Sequence, residues 1–160
     1  MNILIEGLIL SLCLYLACAY GIRDGAVNMV YLYTQDVQER VVELGMTTKE
    51  KIQTGSKRFK ILGLLFYFGY VMICVFVING ARGFQQTFIQ FVAITWIMGV
   101  FDRIVVDTIW VGHTKAWIIP GTEDLMPYIP VKIHIMKWIS TLCVYPALGA
   151  LICWVMSLIL

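Results

Sequence analysis

The chain has 160 residues, 60% of them hydrophobic and 14% charged, with a mean hydropathy of +0.82 and a formal net charge of +2. Water-soluble domains run closer to half apolar, so the surplus must face something other than water. So small a net charge excludes the basic surface that nucleic-acid binding requires.

Four apolar stretches carry the surplus, at about residues 3–22, 61–79, 84–106 and 136–160. Each holds about 18 residues or more, enough to cross a bilayer as a helix. The expected fold class is therefore all-α: a polytopic membrane protein with four transmembrane helices in a compact bundle, forming a single domain over residues 1–160. All five cysteines (Cys13, Cys18, Cys74, Cys143 and Cys153) fall inside or beside these stretches, and none forms a CxxC pair. They read as small apolar side chains in reduced form.

The first stretch lacks the basic start of a signal peptide, since Glu6 is its first charge. It reads as a retained helix. Gly21-Ile22-Arg23-Asp24-Gly25 interrupts it before residues 26–33 turn apolar again. At 1.5 Å per residue Arg23 lies roughly 30 Å along the helix, at the far interface. Gly21 and Gly25 have the spacing of a close helix contact. Residues 35–46 predict a short amphipathic cytoplasmic helix between the first two spans, with Val37, Val41 and Leu44 on one stripe. Asp36 and Glu39 form its expected capping box, and Gly45 its end. Thr47 with Glu50 repeats the start signal for a helix running into the second span.

Asn79-Gly80-Ala81-Arg82-Gly83 predicts a tight turn. Ile119-Pro120-Gly121-Thr122 has the residues of a type II turn. Pro127 and Pro130 block a long helix after it, and Pro146 predicts a kink in the last span. Basic residues crowd the two connections after the first and third spans, whereas the second connection has Arg82 alone. Positive residues stay in the cytoplasm, so both termini are expected outside, and the pattern suits a bacterial cytoplasmic membrane.

The chemistry concentrates in residues 101–117. On an ideal helix of about 100° per residue, Asp102, Arg103, Asp107, Trp110, His113 and Thr114 fall within roughly 140° of arc. Trp96 extends that side upstream as a possible ligand wall. An ionisable stripe with an apolar back points into protein or water. Arg23 and Asp24 reach a similar depth, which predicts cross-helix ion pairs of Arg23 with Asp102 or Asp107 and of Arg103 with Asp24. Lys115, Glu123, Asp124, His134 and Lys137 crowd the same mouth.

Three functions fit this pattern. The first is binding or transport of a small polar or anionic ligand in a cytoplasm-facing pocket built from Arg23, Asp24, Asp102, Arg103, Asp107, Trp110, His113, Lys115, Glu123 and Asp124. Lys137 would help neutralise the anion. The second is an enzyme acting on lipid headgroups, with Asp107 and His113 as the acid–base pair. The third is structural: an ion-pair lattice that only seats helix ends at the headgroup boundary, or an accessory subunit whose polar face meets a partner, and a bundle this small suits a homo-oligomer. The spacing of Asp107, His113, Glu123 and Asp124 matches no metal motif, and no P-loop, GxSxG or HExxH is present. His113 and His134 stand at helix ends, which argues against axial haem ligation, and no other cofactor is specified.

Overall fold

The four apolar stretches lie in helices long and apolar enough to cross a membrane, and the computed structural model, which describes residues 2–159, contains no strand among them. The expected close of the last span at residue 160 lies outside the described residues. Helix α1 (Ile3–Ile22) begins at Asn2, whose side chain accepts a hydrogen bond from the Leu4 amide at 3.0 Å. It stops before Arg23, and Gly25 turns the chain at a φ of 120°, which favours glycine. A 3₁₀ segment (Ala26–Leu32) then folds back so that Met29 and Val30 are buried. Gly21 makes room for Met29, since a Cβ there would lie 2.1 Å from its sulfur. The two glycines thus shape one connection rather than a contact between spans.

Helix α2 (Gln35–Glu43) buries Val37 and Val41. Thr34, not Asp36, flanks its start, so the expected capping box does not form. Asp36 sits inside the first turn, where a hydrogen bond with the Thr34 side chain holds its carboxyl below the ordinary value. Gly45 ends the helix at a φ of +71°, with the Met46 amide bonded back to the Val41 carbonyl at 3.1 Å. Thr48, one residue later than expected, caps helix α3 (Lys49–Met72) by accepting from the Lys51 amide at 3.3 Å. The helix continues as a π-helical segment (Ile73–Ile78) to a total of 30 residues.

Helix α4 (Phe84–Phe101) likewise widens into a π-helical segment (Asp102–Val111). The connection beyond it includes the expected turn, with the Thr122 amide bonded to the Ile119 carbonyl at 3.1 Å and Gly121 at a φ of 84°. Helix α5 (Val131–Ile139), a π-helical turn (Ser140–Val144) and helix α6 (Tyr145–Ile159) form the last rod. The wide turn ends just ahead of Pro146, which has no N–H to continue the ordinary ladder.

Helix α4 is the hub, and small residues let its neighbours approach. A Cβ on Gly7 of α1 would lie 2.6 Å from Ile97, and one on Gly149 of α6 2.6 Å from the Phe91 ring. One on Gly99 would lie 2.5 Å from the methyl of Thr141. Two apolar cores result. One, including Leu10, Val75, Phe91, Ile94 and Cys153, packs the half that holds the start of α1. The other, including Cys18, Val37, Ile52, Trp117 and Tyr128, packs the opposite half under α2 and the 3₁₀ segment. Outward faces expose residues such as Leu62, Leu65, Val77 and Leu151, while Arg103 and Asp107 are buried. Apolar outside and ionised inside is the pattern a bilayer selects.

Candidate functional site

The charged residues of the π-helical segment that continues α4 meet between the two cores. Arg103 donates through one terminal nitrogen to Asp107 and through the other to Asp102. Lys137, from α5, donates to the second oxygen of Asp107 at 2.8 Å. The side chains of Arg103 and Asp107 are only 7% and 5% exposed, against 36% for Lys137. Two cations and two anions therefore balance inside a low-dielectric interior, the condition under which buried charge is tolerable. The i,i+4 spacing places Asp107 beside Arg103, and the π-helical widening rotates the following residues off the ideal stripe.

A cavity of about 230 Å³ opens beside this quartet, lined by Asp102, Asp107 and Lys137 on its polar side. Tyr33, Phe59, Trp117 and Tyr128 supply its aromatic wall. The Tyr33 hydroxyl donates to the Trp117 carbonyl at 2.6 Å, and burial pushes that phenol above its ordinary range. The Tyr128 hydroxyl lies 2.9 Å from the Thr122 hydroxyl. Both hydroxyls are thus engaged in holding the wall. The indole N–H of Trp117 is buried without a partner. Lys137 uses one of its three donors on Asp107. The cavity consequently offers the remaining donors of Lys137 to whatever enters, beside the carboxylates of Asp102 and Asp107.

Other expected site residues lie elsewhere. Arg23 pairs with its own neighbour Asp24 at 3.5 Å, with side chains 70% and 74% exposed, so neither cross-helix ion pair forms. Helix α1 ends at Ile22, and Arg23 at its end is exposed beside Asp24. Trp110 packs against a tilted Tyr15 ring and edge-on to Trp117, with ring centroids at 4.6 and 5.3 Å, and Trp96 is exposed. Neither lines the cavity. Lys115 and Glu123 are exposed, with Glu123 accepting from the Gly121 amide at 2.8 Å. Asp124 forms a two-pronged pair with Arg40 of α2, both contacts at 3.2 Å, which ties the last connection to that helix.

His113 lines a smaller cavity of about 130 Å³ with His134 and Asp107. Its Nδ1 lies 2.7 Å from the Thr108 carbonyl oxygen, which can only accept. Nδ1 therefore carries the proton in the neutral ring, leaving Nε2 as an acceptor. Among the described residues, no group of three or more His, Cys, Asp or Glu is placed to hold a metal ion.

Sequence reasoning passed over the aromatic wall and Glu6. Glu6, on α1 at the opposite end, is fully buried, and its one side-chain donor is the Asn79 amide at 2.9 Å. Its other carboxyl oxygen and the Asn79 side-chain oxygen are both buried without partners. An acidic residue in the first turns of a membrane-length helix was the available signal. No protein-family model, curated protein or solved structure matches this chain.

Proposed function

We propose that the chain is an integral membrane protein that binds a small polar or anionic ligand in the cavity beside Lys137. The two longer connections and helix α2, with its apolar stripe against the bundle, lie on the cytoplasmic side, following the excess of basic residues there. The termini lie outside, as in a bacterial cytoplasmic membrane. One observation carries the reading. Lys137, which spends one of its three donors on Asp107, lines the cavity with the rest of its ammonium group free among the described residues. The apolar core of Leu10, Val75 and Phe91 closes the opposite half of the bundle, which favours binding from one side over a through-path.

The experiment is thermal unfolding of the detergent-purified protein with phosphate, acetate and glycerol 3-phosphate at constant ionic strength. At least one ion should stabilise the wild type, and the shift should vanish in Lys137→Gln. Equal shifts in both proteins, or none in either, would sink the reading.

A second reading, an enzyme acting on lipid headgroups, draws on His113, His134 and Asp107 sharing one cavity. It requires a lipid product to appear in liposomes containing the wild type and to be lost in His113→Ala.

A further inference from the structure

We propose that the first turns of helix α3 are a docking surface for anionic phospholipid, with Lys57, Arg58 and Lys60 holding headgroup phosphates. Residues 49–60 carry five cations, Lys49, Lys51, Lys57, Arg58 and Lys60, against one carboxylate, Glu50. That is a net charge of +4 in a chain whose total is +2, so the remainder of the chain is net negative. Lys57, Arg58 and Lys60 are exposed, and among the described residues no carboxylate pairs with any of them. Three cations within one helical turn repel one another, and the fold supplies no counter-charge. The excess of basic residues on one side of a membrane accounts for where this collar lies. It does not account for what neutralises it.

The face that the collar occupies identifies the partner. Residues four and seven apart share one side of a helix. Lys57 therefore stands over Ile61 and Leu64, and Arg58 over Leu62 and Leu65, all four between 55% and 68% exposed. Ile52 and Phe59, on the other side of the helix, pack into the core. No charged residue follows Lys60 until Arg82, so the exposed apolar strip begins directly beneath the cations. One turn is about 5.4 Å, and the headgroup layer outside the hydrocarbon is about 5–7 Å deep on each side. The ammonium and guanidinium groups thus reach phosphate depth while their stems lie along the apolar strip. A zwitterionic headgroup brings a cation of its own with its phosphate, whereas an anionic one cancels the repulsion within the collar. Collar and strip form one surface, which a headgroup and its acyl chains cover together. The inference rests on the membrane reading above and is independent of the Lys137 cavity.

The test reconstitutes the full chain in nanodiscs of equal parts dioleoyl phosphatidylglycerol and dioleoyl phosphatidylcholine, and counts the lipids retained by native mass spectrometry. The wild type should keep phosphatidylglycerol over phosphatidylcholine by at least about fivefold, the factor that one basic residue supplies at a charged surface. Lys57→Gln, Arg58→Gln and Lys60→Gln together should bring the ratio close to one. Lys57→Arg with Lys60→Arg should keep the preference, as should Lys115→Gln with Lys132→Gln, which removes exposed charge elsewhere. No preference in the wild type, or an equal loss in the Lys115 and Lys132 variant, would overturn the inference. Resistance of the wild type and the triple variant to alkaline extraction from liposomes is measured alongside. Protein that stays in the bilayer without a lipid preference overturns the docking surface alone, whereas wild-type protein that is extracted overturns the membrane reading beneath it.

Discussion

Asp107→Asn tests the charged quartet directly. The substitution keeps the shape of the side chain and removes one negative charge that serves two cations, Arg103 and Lys137. Removing one partner of a buried ion pair typically costs about 3–5 kcal/mol, because the other charge stays buried and uncompensated. Two features place this case near the lower bound. Arg103 keeps Asp102, and Lys137, 36% exposed, can turn its ammonium group toward water. The expected loss is therefore about 3 kcal/mol. Lys137→Gln should cost only about 1 kcal/mol, since Asp107 retains Arg103 and the lysine is half exposed. Unfolding in mixed micelles, followed by tryptophan fluorescence, measures both. In a double-mutant cycle, Asp107→Asn and Lys137→Gln should be non-additive by at least about 0.5 kcal/mol. Asp107→Asn with Arg23→Gln should be additive, because Arg23 is exposed and pairs with its neighbour Asp24. A loss under about 1 kcal/mol for Asp107→Asn, or coupling to Arg23 in place of Lys137, would refute the geometry.

The spans and turns were legible because their signals are local. An apolar stretch of membrane length, Gly45 after an amphipathic stripe, and Pro120-Gly121 in a turn each act within a few residues. The members of the quartet on α4 were legible too, since Asp102, Arg103 and Asp107 are ionisable groups in an apolar run. Their partner was not. Lys137 stands 30 residues beyond Asp107 and joins it through the packing of α5 on the π-helical segment after α4. Arg23 was misplaced because α1 ends at Ile22, so the projection of a continuous helix no longer applies to it. The ideal period failed beyond Asp107, where i→i+5 bonding replaces the 100° step and swings Trp110 toward Tyr15. The cavity wall was the least legible part. Tyr33, Trp117 and Tyr128 come from irregular segments with no period, and only the folded chain brings their rings together.

The buried Glu6 should tolerate Glu6→Gln better than Glu6→Ala. Glutamine can accept from Asn79 and supply the donor its side-chain oxygen lacks, whereas alanine leaves a cavity and two orphaned groups. Equal losses for the two variants would contradict that account. Gly99→Ala should destabilise the bundle by about 1–3 kcal/mol through overpacking against Thr141, and recovery is expected when Thr141→Ser removes the opposing methyl. In a background without the exposed Cys143, an impermeant thiol reagent added outside cells should label Arg82→Cys and miss Lys57→Cys, and the opposite pattern would move the proposed site outside. Alkaline unfolding probes the aromatic wall. Burial raises the Tyr33 phenol above its value in the unfolded chain, which is about 10. Below pH 10 both states keep the proton, and the contribution to stability is fully present. Above it the unfolded chain releases a proton that the folded chain retains, so stability falls as pH rises. The slope owed to this one group is at most about 1.4 kcal/mol per pH unit. Tyr33→Phe should cost about 1 kcal/mol at neutral pH, through the lost bond to the Trp117 carbonyl, and should flatten the alkaline slope by up to that amount. Tyr31 is also raised by burial, so some slope should survive in the variant. An alkaline slope identical in Tyr33→Phe and the wild type would mean that the hydroxyl is hydrated in the folded state, and that the wall of the cavity is open where its burial now closes it.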